Sequence, residues 1–246
     1  LAISKFLAPR ADGLRAMSQG QKEKFVKSGI NEKKIRVIST PVDLKKFENY
    51  GQEEKQKKLW ESLAAESKGT KFVLMVGRKD LVKDFSTLFK TINLVYKKNP
   101  EAGLWLVGNH TSYDEIKNEL ELPPEKVRLT GRVDSDDLAA YYKASYLTVL
   151  SSTSESFGKV LVEANACGKP VVSTATTGAK EIVYDGENGF LAPIGDYKEL
   201  AEKIIYLLEN PETAKRMGEN GRRLVSEKYG DNTKKIVAFW QDIINN

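Results

Sequence analysis

Short, continuous apolar runs alternate with amphipathic helical patterns through most of this chain, and this alternation constrains its fold most strongly. FVLMV (72–76) and GLWLVGN (103–109) have the length of strands. Between them, STLFKTINLVYKKN (86–99) carries apolar residues at helical spacing. Strands without polar alternation are buried on both faces and belong to parallel sheets covered by helices. The pattern therefore predicts an α/β fold, a Rossmann-like parallel sheet with helices on both faces.

The same alternation continues to the carboxyl terminus. We predict further strands at 127–133, 147–152, 170–174 and 189–193. We predict helices at 115–122, 135–145, 158–168, 196–210, 211–229 and 232–244. Ser135 is the expected N-cap of the second of these helices, and Asp196 with Glu199 forms an expected capping box for the fourth.

Composition limits the compartment and the partners. The 246 residues are 40% apolar and 30% charged, as in a globular chain with one large or two smaller domains. A single cysteine, Cys167, excludes a disulfide framework and favours a reducing, cytoplasmic compartment. No apolar run approaches the roughly 20 residues that span a bilayer. The net charge of +5 fits an ordinary solvated surface or contact with an anionic membrane face, and we expect no nucleic-acid partner.

Parallel sheets bind ligands beyond the carboxyl ends of their strands, where the strand order reverses. Gly77 and Arg78 directly follow the first apolar strand, and Lys83 lies in the same loop. Glycine lets a ligand approach the backbone, while arginine and lysine can bind a diphosphate. The alternative is that both cations are ordinary surface residues.

Two other strand ends are less informative. The backbone of Gly131, Arg132 and Val133 could hydrogen-bond the edge of a base, or it could form a plain turn. His110, the only histidine, follows the second strand. Since spacing identifies no serine, cysteine or acidic partner for it, we expect it to lie in a surface loop or to support residues that contact a ligand.

The stretch ESFGKVLVEANACGKPVV (155–172) contains two glutamates that border a predicted helix start. The amides of Phe157, Gly158 and Lys159 are helix-terminal donors and can bind an anion. Glu155 could accept hydrogen bonds from sugar hydroxyls. Glu163, in the second helical turn, could do the same or could pair with Lys159. A ligand with both phosphate and hydroxyl groups, such as a nucleotide sugar, fits this arrangement.

Several motifs occur in one order: Gly77-Arg78 with Lys83, Gly131, E-S-F-G-x4-E, A-x-G-K-P-V-V, T-G-A-K-E-I-V and D-G-E-N-G-F-L. Over residues 10–246 this set resembles the carboxyl-terminal, donor-binding half of family-4 retaining glycosyltransferases of the GT-B fold. The resemblance implies metal-independent sugar transfer, without a cofactor, from a nucleoside-diphosphate sugar. The acceptor would be a glycan, as in polysaccharide biosynthesis, or a lipid-linked or small molecule.

The resemblance also implies residue roles. Glu163 would hold the ribose and Glu155 the donor sugar, while Arg78 and Lys83 would stabilise the leaving diphosphate. The remaining donor-binding positions would be Gly77, Gly131, Arg132, Val133, Phe157, Gly158 and Lys159. One departure is Thr177-Gly178, where the family often has Gly-Gly, with Glu181 matching the glutamate that follows.

The resemblance divides the chain into three parts. Residues 1–47 would be the end of an acceptor-binding domain, 48–232 the donor-binding domain, and 233–246 a crossover helix. The rest of the acceptor domain would lie in the same protein or in a separate subunit. Without it, Phe239, Trp240 and Ile243 are expected to be exposed. We therefore expect no transfer by this chain alone.

Two alternative functions remain. The chain could be a non-catalytic nucleotide-sugar binding module or subunit that needs a partner domain. It could also belong to another GT-B enzyme, such as a sugar-nucleotide epimerase. The epimerase has less support, since no acid–base set is identifiable beyond the two glutamates.

Overall fold

The computed structural model describes residues 10–67, 69–108, 112–230 and 232–245. These residues form eight strands: β1 Leu14–Ala16, β2 Ile35–Val37, β3 Lys71–Val76, β4 Ala102–Val107, β5 Val127–Leu129, β6 Leu147–Leu150, β7 Val171–Thr174 and β8 Gly189–Ala192. They also form the helices α1 Gln19–Lys27, α2 Leu44–Glu48, α3 Glu54–Glu66, α4 Phe85–Lys98, α5 Tyr113–Ile116, α6 Leu138–Ala144, α7 Lys159–Ala166, α8 Ala179–Ile182, α9 Tyr197–Glu209, α10 Pro211–Lys228 and α11 Thr233–Ile244.

Strands β3 to β8 form one parallel sheet in the order β5-β4-β3-β6-β7-β8. Numbered within the sheet, this is the order 3-2-1-4-5-6 of doubly wound nucleotide-binding folds. The order reverses between β3 and β6. The loops that follow these two strands therefore border a crevice, which is where such sheets bind ligands.

Helices cover both faces of this sheet, as predicted. Successive side chains of a strand point to opposite faces, so β3 supplies both cores. Phe72 and Leu74 pack in a core with α3, α6 and α7. Val73 and Met75 pack in a second core with α4 and α9. The buried strands and the two apolar helix layers confirm the predicted α/β class.

The predicted helix at 115–122 is wrong over most of its length. Helix α5 ends at Ile116. Beyond it, the side chain of Asn93 binds the backbone: its Nδ2 donates to the Glu119 carbonyl at 2.8 Å, and its Oδ1 accepts from the Glu121 amide at 2.9 Å. These contacts hold the segment in a non-helical conformation.

Two predicted helix caps also differ from the structure. Helix α6 begins three residues after Ser135, whose hydroxyl instead accepts a hydrogen bond from Lys46 Nζ at 3.1 Å. Asp196 does cap α9, since its carboxylate accepts from the amides of the first turn, including that of Glu199. The amide of Asp196 donates to the Pro193 carbonyl, so the reciprocal half of the capping box does not form.

The amino-terminal segment forms its own small unit. Strands β1 and β2 pair in parallel and share a core of Ala16, Ile30 and Ile35. The predicted boundary between residues 47 and 48 falls inside α2. Leu44 and Phe47 of this helix pack into the core of the main sheet, so α2 packs with that sheet and not with the core of the amino-terminal segment.

Helix α11 packs against this amino-terminal segment, which corrects one prediction. Phe239 is only 8% exposed. A Cβ at Gly13 would lie 3.0 Å from the Phe239 ring and 2.3 Å from Ile243 Cδ1, so these side chains occupy the space that Gly13 leaves. Trp240 is 44% exposed, as predicted. Across the described ranges, no helix combines the length and apolar character needed to cross a membrane.

Candidate functional site

The centre of the site is an ion pair across the point where the strand order reverses. Lys83, in the loop after β3, places its Nζ 2.6 Å from Oε1 of Glu155, in the loop after β6. Both side chains are 17% exposed. The Ser152 hydroxyl also donates to Glu155 Oε1, at 2.9 Å. A partly buried, charge-assisted contact is stronger than a surface ion pair, so both charges are held in the crevice.

The backbone of the Lys83 loop is anchored to the end of β6. The Ser151 hydroxyl donates to the Lys83 carbonyl at 2.7 Å and to the Asp84 carbonyl at 3.1 Å. Asp84 has a positive φ of 45° and caps α4 by accepting from the Thr87 amide and hydroxyl. These contacts were not identified from the sequence. They fix the backbone of Lys83 and therefore the direction in which its side chain projects.

Gly77 directly follows β3 and lies beside the side chain of Lys83. A Cβ at this position would lie 3.2 Å from Lys83 Cε, so the glycine leaves room for the lysine stem. Arg78 is exposed in the same loop. The two predicted cations therefore differ: Lys83 is half-buried and paired with a carboxylate, and Arg78 projects from the surface.

The start of α7 faces the same crevice. Gly158 is its N-cap with φ 82°, in the left-handed region that favours glycine, and no side chain of the described residues caps the helix. The Leu161 amide donates to the Gly158 carbonyl at 2.9 Å, which leaves the amides of Lys159 and Val160 in the first turn for an anion. Phe157 is buried and packs edge-on against Tyr229 at 5.5 Å. Only its backbone can contribute to binding.

Glu163 is buried, with 3% exposure, one turn into α7. Its Oε1 lies 3.2 Å from Lys159 Nζ, so the ion pair considered from the sequence is present. Its Oε2 accepts a hydrogen bond from the Tyr142 hydroxyl at 2.8 Å. Burial raises the pKa of Glu163, against the opposing effects of the Lys159 charge, the Tyr142 hydrogen bond and the more distant Lys46.

The loop after β5 is joined to the end of β4 by a backbone hydrogen bond. Gly131 has φ 63°, and its carbonyl accepts from the Gly108 amide at 2.7 Å. Arg132 is exposed and Val133 half-buried. Contact of this loop with a base remains a prediction. His110 lies outside the described residues.

The amino-terminal segment reaches the site through the first turn of α1. The Gly20 amide donates to Glu181 Oε1 at 3.0 Å, and Gln21 Nε2 donates to the Ser156 hydroxyl at 3.3 Å. A Cβ at Gly20 would lie 2.1 Å from Thr177 Cγ2. Thr177, the departure noted in the sequence, thus fits because residue 20 is glycine.

Other reactive groups do not join this constellation. Burial raises the pKa of the Cys167 thiol to about 12, so this cysteine remains a thiol at neutral pH. Within the part of the chain that the structure describes, no three His, Cys, Asp or Glu side chains form a group that could hold a metal ion. The site presents carboxylates, lysines and helix-terminal amides.

A doubly wound sheet with cations and helix-terminal amides at its switch point is typical of nucleotide-binding proteins. Residues 56–224 match the family described as Glycosyl transferases group 1. The chain belongs to this family, and its fold is that of the nucleotide-binding half of GT-B glycosyltransferases.

Relatives with names and solved structures agree with this assignment. The capsular polysaccharide biosynthesis glycosyltransferase CapM of Staphylococcus aureus is 30% identical over 95% of this chain and 60% of its own length. The sucrose-phosphate synthase structure from Thermosynechococcus elongatus has a TM-score of 0.83, with 27% identity, covering 99% of this chain and 61% of that chain. Anabaena HepE in complex with UDP-glucose has a TM-score of 0.81 and 25% identity, covering 99% and 66%. The chain spans between 38% and 60% of the length of four curated relatives that it matches.

Proposed function

We propose that this chain is the donor-binding unit of a retaining glycosyltransferase that uses a nucleoside-diphosphate sugar. The observation that carries the proposal is the Lys83–Glu155 pair at the switch point of the sheet. The pair supports the proposal because Lys83 can bind a diphosphate and Glu155 can accept hydrogen bonds from sugar hydroxyls in the same crevice. Similarity to HepE, a protein solved with UDP-glucose, favours UDP-glucose as the first donor to test.

Each group has a distinct role in this proposal. Glu163 accepts hydrogen bonds from the ribose hydroxyls, and the loop at 131–133 lies against the base. The first-turn amides of α7 and the exposed Arg78 bind the diphosphate. Lys83 lies between this diphosphate and Glu155, and Glu155 accepts from hydroxyls of the transferred sugar.

The transfer itself breaks the bond between the anomeric carbon and the diphosphate oxygen. The acceptor hydroxyl oxygen bonds to the same carbon on the same face, and its proton passes to the departing diphosphate. Negative charge grows on the diphosphate as the bond breaks. Lys83, Arg78 and the α7 amides stabilise that charge, which is the largest contribution such a site can make.

The acceptor side requires a further domain in this proposal. Gly20 contacts Glu181, and Gln21 contacts Ser156 in the loop before α7, so the amino-terminal segment borders the crevice. Strands β1 and β2 would be part of an amino-terminal acceptor domain. Similarity to CapM favours a saccharide acceptor of the kind used in polysaccharide biosynthesis. A location at the cytoplasmic face of a membrane remains a prediction.

A binding role without catalysis is the second candidate. The chain spans 60% or less of the length of those four relatives, and a donor-binding unit can hold its ligand without an acceptor site. Transfer assays with and without an added acceptor domain separate the two functions. We expect no transfer by this chain alone, and turnover by it would contradict that expectation.

Nucleotide binding is the direct test of the proposed function. Isothermal titration of this chain with UDP, GDP and ADP is expected to give saturable binding to at least one of them. Tripolyphosphate serves as a control for nonspecific attraction to the basic surface. Absence of binding to all three nucleotides would overturn both the transferase and the binding-module proposals.

Glu155→Gln tests the sugar-side role. We expect the affinity for UDP-glucose to fall about tenfold, because the variant loses a charged acceptor for sugar hydroxyls. The affinity for UDP should not fall, since a carboxylate beside the diphosphate is removed and Lys83 is released. Titration of both ligands against both proteins measures the difference. Equal losses for UDP and UDP-glucose would contradict the assignment.

A further inference from the structure

Tyr142 is a fully buried residue whose hydroxyl contacts Glu163 of the candidate site. It lies in α6 with 0% exposure, and its hydroxyl donates to Glu163 Oε2 at 2.8 Å. Phe47 packs edge-on against its ring at 6.0 Å. Burial raises the pKa of Tyr142 well above its ordinary value. The hydroxyl therefore keeps its proton and acts as a fixed donor.

The two oxygens of Glu163 consequently have different surroundings. Oε2 is held from inside the core by Tyr142. Oε1 faces Lys159, whose side chain is 53% exposed and lies on the solvent side of α7. An exposed lysine can move aside for a ligand at little cost, whereas a buried tyrosine in a packed core cannot. Oε1 is thus the oxygen that a ligand can reach.

Three described side chains and burial affect the protonation of Glu163. Lys159 from its own helix, Tyr142 from α6 and Lys46 from α2 favour the ionised carboxylate. The nearby Cys167 thiol is neutral, and burial acts against ionisation. If a ribose takes the place of Lys159 at Oε1, Tyr142 is the direct hydrogen-bond donor to Glu163 that remains among the described residues.

We propose that Tyr142 is a positioning residue for the nucleotide donor. Its hydroxyl fixes Oε2 of Glu163, orients Oε1 toward the two ribose hydroxyls and keeps the carboxylate ionised in a buried environment. This inference rests on the proposed function, because it assigns the ribose to Glu163. It adds a residue that does not itself touch the ligand.

Tyr142→Phe tests the proposal while preserving the ring that packs against Phe47. At neutral pH we expect the affinity for UDP to fall about tenfold, as for a lost hydrogen bond to a charged group. Without the hydroxyl, Glu163 binds its proton more tightly, so UDP binding should be lost at a higher pH on acidification. We expect this midpoint to rise by about one pH unit. UDP affinity is measured by titration calorimetry across the acidic range.

Tyr141→Phe is the matched control. Tyr141 is the neighbour on the same helix, and its half-buried ring packs on Trp105 at 5.3 Å, away from Glu163. We expect this variant to bind UDP with the affinity and pH midpoint of the wild type. In a Glu163→Gln background, Tyr142→Phe should cause little further loss, because both changes act on one interaction.

Three results would overturn the inference. The first is a Tyr142→Phe protein with wild-type UDP affinity and pH midpoint. The second is an equal loss in the Glu163→Gln background, which would place the effect elsewhere. The third is the same acidic midpoint for wild type and Glu163→Gln, a comparison that does not require Tyr142→Phe to fold. If the wild type binds no nucleoside diphosphate at all, the proposed function itself fails.

Discussion

Replacing Lys83 with methionine is expected to lower the rate of sugar transfer by roughly 100- to 1000-fold, the usual cost of removing one group that stabilises developing charge. The variant loses the cation nearest Glu155 and leaves that partly buried carboxylate without its 2.6 Å partner. The unpaired carboxylate would then repel the leaving diphosphate. The measurement is the initial rate of UDP release from UDP-glucose, in a protein that joins this chain to an acceptor domain.

Lys79→Met is the matched control for this experiment. Lys79 is an exposed lysine in the same loop, so each variant removes one positive charge from this loop, and only Lys83→Met removes the partner of Glu155. We expect Lys79→Met to retain most of the wild-type rate. Lys83→Arg should recover only part of the loss, because a planar guanidinium fits a site shaped for an ammonium poorly. Equal rates for the two methionine variants would contradict the role of Lys83.

Replacing Glu163 with glutamine is expected to weaken UDP binding roughly 10- to 100-fold, because neutral amides form weaker hydrogen bonds than carboxylates do. Comparison with 2′-deoxyuridine diphosphate identifies the contact. The wild type should bind the deoxy ligand less tightly than UDP, and Glu163→Gln should largely lose this preference. A preference that persists unchanged would mean that Glu163 serves only the ion pair with Lys159.

Glu163→Gln should weaken UDP binding but increase the thermal stability of the fold at neutral pH. Burial raises the pKa of Glu163, so folding favours its protonated form. That contribution is fully present below the pKa of the unfolded chain and is lost as pH rises through the folded-state pKa. Glu163→Gln should therefore raise the thermal midpoint at neutral pH and give no gain at acidic pH. Thermal unfolding at both pH values measures this. Higher stability with weaker binding would mark Glu163 as a residue retained for function.

The contacts of the amino-terminal segment explain how a departure from the family pattern is tolerated. Thr177 brings a side chain where the family often has glycine, and Gly20 supplies the space for it. Glu181, three residues after Gly178, accepts from the Gly20 amide. This part of the site is shaped by residues more than a hundred positions apart, so local sequence comparison alone does not reveal the compensation.

Much of the fold and part of the site were predictable from the sequence. Buried strands and amphipathic helices have strong local patterns, and the glycines and cations after the strands mark a ligand-binding edge. Two wrong predictions also came from local sequence patterns. The helix at 115–122 ends early because Asn93 binds its backbone, and Ser135 is bound by Lys46 instead of capping α6. Local propensity cannot anticipate a partner supplied by a distant segment.

The sequence by itself determined the α/β class, the strand ends that carry polar residues and the glutamate pair at the start of α7. The tertiary structure decided which of these residues meet. Lys83 and Glu155 are 72 positions apart and come into contact because β3 and β6 are neighbours in the sheet. From the sequence, Tyr142 is an ordinary core residue of a predicted helix. It contacts Glu163 because α6 and α7 pack on the same face of the sheet. Periodicity shows which side of an element is buried, while strand order and helix packing decide what that side touches.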